Sequence, residues 1–180
     1  MPGAYGPYIV TEAFCIAFSL ILLSRLKYGL GSGREIQTLR ILFVWFFVLL
    51  ITDMLWAMNE DNYLLPPKIV NGAISAASFS AVSWGCFYWY RFVAERSGRY
   101  SRIGKTEKLL LALPTMAITA LLIASVFTGW LFYIDGEDHY RDTPLMYLRV
   151  GVNYFYLLLA SGYAVWGAFR SGSRQKRLEY

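Results

Sequence analysis

Asp53 stands in the run Ile41–Met58, where every other side chain is uncharged. A carboxylate inside such a run is expensive to leave facing lipid, so it must meet protein, water or a partner. It lies about five residues, hence ~7–8 Å along a helix, from the outer end of its segment. Glu12 stands at similar depth in the first apolar run, about Tyr8–Ser24. Asn71 opens the third run on the same side, Asn153 lies near the start of the fifth, and Arg149 sits one helical turn before it. Trp56, Tyr133, Asp135 and His139 complete the set at that end of the chain's apolar segments. Polar groups so gathered fit a pocket that opens outward between helices and takes a small molecule, a lipid or a partner. The plainer reading is that Glu12 and Arg149 snorkel to the headgroups and that Asp53 makes a structural hydrogen bond between helices.

Enzyme chemistry finds little support. His139 is the single histidine of the chain, which excludes bis-histidine haem and an HExxH zinc site. No Gly-x-Ser-x-Gly elbow occurs, and Ser78, Ser80 and Ser83 have no histidine or lysine within their apolar run to act as base. No cofactor, metal site or catalytic residue is therefore expected. The glycine-rich stretch Tyr28–Gly33 joins two apolar runs, where it reads as a turn and not as a phosphate loop.

The elements that must position these residues follow from the apolar runs. Of the 180 residues 57% are hydrophobic and 16% charged, against about a quarter charged in soluble domains. Crossing the hydrocarbon core takes ~20 mainly apolar residues. Ile69–Tyr90, Leu109–Ile134 and Val150–Phe169 reach that length without one charge. The runs are apolar all round, whereas a soluble helix keeps one charged face. The expected fold is all-α, a single bundle of five transmembrane helices over residues 8–26, 40–58, 69–92, 108–134 and 146–170, with a basic tail at 171–180.

Charge sets the orientation. Lys and Arg occupy every second polar stretch, fourteen against three. Short loops rich in Lys and Arg stay cytoplasmic, so the N-terminus is expected outside and the C-terminus in the cytoplasm. The same distribution argues that the net charge of +5 serves topology and not nucleic-acid binding. No basic residue precedes the first run and Ser24-Arg-Leu-Lys27 follows it, which disfavours a cleaved signal peptide. Cys15 and Cys86 fall at different depths, which disfavours a bridge between them.

The third run is built from small residues, including Gly72, Ala73, Ser75, Ala76, Ser80 and Gly85. Such a surface lets helices approach closely, so this helix is expected at the centre of the bundle. Ala160, Ala164 and Ala168 give the fifth run a lesser version, read as internal packing with a dimer face as the alternative.

Three stretches give the chain a resemblance to the multi-helix sensory regions that precede GGDEF diguanylate cyclase domains, and some histidine kinases, in bacteria. They are Leu49-Leu-Ile-Thr-Asp-Met-Leu-Trp-Ala57, Leu131-Phe-Tyr-Ile-Asp135 with the Tyr140-Arg-Asp-Thr-Pro-Leu145 loop, and Asn153-Tyr-Phe-Tyr156 running into a basic end. The resemblance implies a module of the bacterial inner membrane that senses a signal and passes it to a cytoplasmic output domain, with a homodimer through that assembly. Asp53, Trp56, Tyr133 and Asp135 are the positions it marks as pocket or structural residues. No GGDEF motif or kinase histidine box lies within the 180 residues, so the sequence is expected to be a piece of a longer signalling protein. A transport or channel subunit with Asp53 as an ion or proton site is the rival. The inner half of the runs offers no acid to continue such a path.

Overall fold

The computed structural model describes residues 5–25, 33–60, 67–136 and 140–178. Five helices carry the fold: α1 (Gly6–Arg25), α2 (Gly33–Glu60), α3 (Lys68–Arg96), α4 (Lys105–Thr128) and α5 (Met146–Leu178). A 3-10 turn at Tyr100–Arg102 links α3 to α4, and a hairpin of β1 (Phe132–Ile134) and β2 (Tyr140–Asp142) links α4 to α5. The fold is all-helical apart from that hairpin, as the apolar runs predict. Three helices, α1, α2 and α4, are long and apolar enough to cross a membrane. At 29 and 33 residues α3 and α5 are also long enough, but α3 is diluted by serines and α5 by its basic end.

Side-chain contacts fix the directions of the helices. Tyr5 and Tyr8 at the start of α1 meet Trp56 and Asp53 near the end of α2. Thr38 near the start of α2 meets Glu95 near the end of α3. Lys68 at the start of α3 meets the hairpin, and Arg99 beyond its end meets Trp166 of α5. Successive helices thus run antiparallel, with the start of α1, the end of α2, the start of α3 and the hairpin at one end, called the hairpin end below.

The small residues of α3 act as expected. The helix packs against α2, α4 and α5, whereas α1 packs against α2. Gly72 lets α4 come so close that a Cβ there would lie 3.3 Å from Val126 Cγ1. Ser75, Ser78, Ser80 and Ser83 are all buried. On α5 the alanine series behaves differently. Ala160 is buried, but Ala164 and Ala168 are exposed.

Two clusters form the core. One joins Ala76, Ile118, Leu122, Leu131, Phe132 and Met146 near the hairpin. The other joins Phe87, Tyr90, Ala94, Tyr100, Tyr156 and Ala160 toward the opposite end. In the second, the Tyr156 hydroxyl donates to the Leu111 carbonyl at 2.6 Å. Pro114 inside α4 has no N–H for the carbonyl one turn before it. The carbonyl that loses its donor is that of Leu110, and the Tyr156 hydroxyl takes the next one, of Leu111, so the bond ties α5 to α4 beside the proline.

The boundaries differ from the sequence expectation in four places, one being α5, which runs to Leu178 and takes in most of the stretch expected as a basic tail from 171. The fourth helix ends at Thr128 and not at 134, because Gly129 takes φ 70° and closes the helix through its N–H to Ser125. Phe132–Ile134 then pairs antiparallel with Tyr140–Asp142. Ser125 Oγ accepts the Leu131 N–H, and the Thr143 N–H returns to the Leu131 carbonyl, which latches the hairpin onto α4. Next, α2 starts at Gly33 and not at 40, and its added turns bring in Thr38, which is fully buried. Finally, α3 runs on to Arg96 and carries Glu95 against α2.

Large apolar side chains cover the outside. Phe14 and Phe18 on α1, Leu109 and Phe127 on α4, and Leu158 and Phe169 on α5 are all more than half exposed. In water such a surface would drive aggregation, while in a bilayer it is the lipid face.

Candidate functional site

The residues singled out in the sequence gather into two groups on different faces of α3, and not into one outward pocket. Ser78 and Phe79 anchor them. As consecutive helical residues they point ~100° apart.

The first group joins α1, α2 and α3. The Ser78 hydroxyl donates to Asp53 Oδ1 at 2.8 Å, and the Tyr8 hydroxyl reaches Asp53 Oδ2 at 3.4 Å. Tyr8 also lies beside Glu12, one turn along α1. Two carboxylates therefore flank one phenol. Glu12 Oε2 is buried with no hydrogen-bond partner among the described residues. One turn beyond Asp53, Trp56 meets Tyr5 edge to face, with ring centroids 5.6 Å apart. The arrangement can exchange the Ser78 bond to Asp53 for one to a polar ligand. Among the described residues no three His, Cys, Asp or Glu side chains are grouped to hold a metal ion.

The second group lies under the hairpin. The Arg149 guanidinium stacks on the Phe79 ring, 4.4 Å from its centroid. Among the described residues Arg149 Nε is buried without a hydrogen-bond partner, and so is Asn153 Oδ1 one turn further along α5. The Tyr140 ring packs against Phe79 and Phe132, and its hydroxyl donates to Asp142 Oδ1. Burial pushes the Tyr140 phenol well above its usual range, and the Asp142 carboxylate pushes it further, with Arg149 pulling the other way. This group is a cation seated on aromatic rings with an unmatched donor and an unmatched acceptor beside it.

The remaining residues of the set have other roles. Asp135 pairs with Arg141 at 3.1 Å, and its carbonyl accepts from Lys68 Nζ at 2.9 Å, so it ties the hairpin to α3. Tyr133 is exposed on the hairpin opposite Arg141. Asn71 is buried at the start of α3. His139 lies outside the described residues.

Sequence reasoning missed the opposite end. Thr38 Oγ1 donates to Glu95 Oε2 at 2.6 Å, and Arg91 Nε donates to Glu95 Oε1 at 2.9 Å. The Glu95 side chain is only 9% exposed. Glu95 lies beyond the expected end of the third helix at 92, and because α3 extends through it, that end of the bundle does hold an acid. Arg91 and Lys108 both lie over the Tyr100 ring. Burial raises the Tyr100 hydroxyl above its ordinary range, Arg91 opposes that shift and Glu95 adds to it. The signal available in the sequence was the i, i+4 pair Arg91–Glu95, which continues the helical spacing past Tyr90.

Comparison of the chain with protein-family models, with curated proteins and with solved structures finds no match.

Proposed function

We propose that the chain is a sensory module of the bacterial inner membrane, crossing it five times with its N-terminus outside. A small molecule, lipid or partner engages the groups around Asp53 near the outer leaflet. The change passes along α3 to a cytoplasmic output of the diguanylate cyclase or kinase type, outside these 180 residues and shared between two copies.

One observation supports this reading above the others. The same pair of helices, α2 and α3, is clasped near both ends by a hydroxyl on a carboxylate, Ser78 on Asp53 and Thr38 on Glu95. The two clasps lie 17 residues apart on α3, about 25 Å along its axis. A ligand that takes over the Asp53 carboxylate frees Ser78 and lets α3 tilt against α2, which strains the second clasp. Moving a two-state element substantially takes a few kcal/mol of differential affinity, and one charged hydrogen bond supplies a good part of that.

The test uses the full chain in nanodiscs, with spin labels at the exposed Arg40 position on α2 and the exposed Trp89 position on α3 after Cys15→Ala and Cys86→Ala. Asp53→Asn is expected to shift the label distance by about 2 Å or to broaden it. An unchanged distribution in a folded variant sinks the relay. Glu95 favours a second reading, since it provides the acid that a transport path from Asp53 needs. Arg91 already neutralises it, which makes this reading the weaker. Proton or sodium uptake by proteoliposomes, lost in Asp53→Asn, would establish it.

A further inference from the structure

A cavity of about 640 Å³ opens at the end of the bundle opposite the hairpin, between the last turns of α3 and the second half of α5. That volume is within the range of small-molecule sites, ~300–1,000 Å³. Its lining is divided. Arg96 and Arg102 supply two guanidinium groups, while Phe92, Val93, Tyr163 and Trp166 supply apolar and aromatic surface. Among the described residues no carboxylate lines it. A smaller cavity adjoins it through Ser97, Gly98, Arg102 and Trp166, and adds Arg99 and Glu107, whose carboxylate accepts from the Gly104 N–H at the start of α4.

The three arginines are placed differently. Arg99 lies over the Tyr163 and Trp166 rings, 5.5 and 5.4 Å from their centroids, so it belongs to the wall. Arg96 approaches Glu35 at 4.0 Å with its side chain two-thirds exposed, an ion pair worth little. Arg102 is exposed at the cavity. Two guanidiniums therefore face a concave, partly apolar space with most of their donors uncommitted to carboxylates, an arrangement suited to a phosphate. The wall continues toward the middle of the bundle over exposed apolar side chains in helical register with it, Trp89 on α3, one turn before Phe92 and Val93, and Leu157 on α5, two turns before Ala164.

We infer that this cavity binds the headgroup of an acidic phospholipid, with the phosphate on Arg96 and Arg102, the glycerol region against Trp166 and the acyl chains along the Trp89–Leu157 surface. A free phosphate would use the arginines but leave the aromatic wall and the apolar track unfilled. A lipid fills all three. Basic pockets between membrane helices at headgroup level are suited to this chemistry. The inference rests on the helices crossing a bilayer, but not on the Asp53 site or on a relay. Bound there, the lipid would brace α3 against α5 one turn from the Glu95 clasp, so membrane charge could set how freely α3 moves.

The test is native mass spectrometry of the full chain released from nanodiscs of phosphatidylglycerol and phosphatidylcholine in equal amounts. Wild type is expected to keep one phosphatidylglycerol in preference to phosphatidylcholine. Arg96→Gln with Arg102→Gln should weaken that retention about thirty-fold, from about 1 kcal/mol for each basic residue near a charged membrane surface. Arg34→Gln with Arg40→Gln, basic positions at the same end but outside the cavity, should leave it within about two-fold. Equal loss in both pairs, or equal retention of the two lipids, overturns the inference. Inorganic phosphate at 10 mM should not displace the lipid, and complete displacement would assign the site to the free anion. Where the double variant fails to fold, a photoreactive phosphatidylglycerol on wild type decides. Crosslinks within 89–102 and 163–169 support the site, and crosslinks spread evenly over the chain overturn it.

Discussion

The bond between Ser78 and Asp53 gives the sharpest test of how the hairpin end is built. Ser78 is 8% exposed, and its hydroxyl donates to the carboxylate at 2.8 Å. The other contact to Asp53, from Tyr8, is long at 3.4 Å, so Ser78 is the principal donor. A hydrogen bond to a charged group contributes about 1.5–3 kcal/mol in soluble proteins. Between membrane helices the measured average is only ~0.6, with a maximum of ~1.7, because an undocked helix finds other partners. A short, charged and buried bond belongs near the top of that range, so the expected coupling is about 1.5 kcal/mol. That is roughly a factor of ten in the unfolding equilibrium. The assay is a double-mutant cycle with Asp53→Ala, Ser78→Ala and the pair, unfolded reversibly by sodium dodecyl sulfate in mixed micelles. Coupling below about 0.5 kcal/mol, the level at which independent sites add, would refute the reasoning. It would mean that Asp53 is held by water or headgroups, and the outer half of the proposed relay would lose its physical basis.

Other outcomes follow from the same geometry. Tyr156→Phe removes the donor beside the Pro114 break and should destabilise the fold by about 1–2 kcal/mol in the same unfolding assay, while Tyr154→Phe, on an exposed side chain, should change it little. Gly72→Leu must push Val126 away and should cost about 2 kcal/mol through overpacking of α3 on α4; a neutral result would show that the two helices are free to separate there. Because the Tyr140 phenol is raised in the folded state, its contribution is complete below the unfolded value near ~10 and is lost as pH rises through the higher folded value. Tyrosinate absorbance at 295 nm should therefore show Tyr140 protonated at pH 11 in the folded protein, with no difference from Tyr140→Phe until the chain unfolds.

The sequence by itself determined that the helices are apolar all round, that α3 is the close-packed one and that Asp53 cannot be left facing lipid. These are matters of composition, spacing and the cost of an unpaired charge in lipid, all local to a segment. The partner was another matter. Ser78 is one of several serines on α3 with similar surroundings in the chain, and only the rotation of α3 against α2 selects it. Tertiary contacts also decided that Arg149 and Asp53 fall on different faces of α3, which separated one expected pocket into two groups. Glu95 was hidden for a related reason. A charge within a basic stretch looks solvated until the helix is seen to run on and bury it beneath Thr38. The hairpin was hidden because Phe132–Ile134 is as apolar as the helix before it. The φ of Gly129 and the latch from Ser125 and Thr143 stop that helix, and hydropathy carries no record of either.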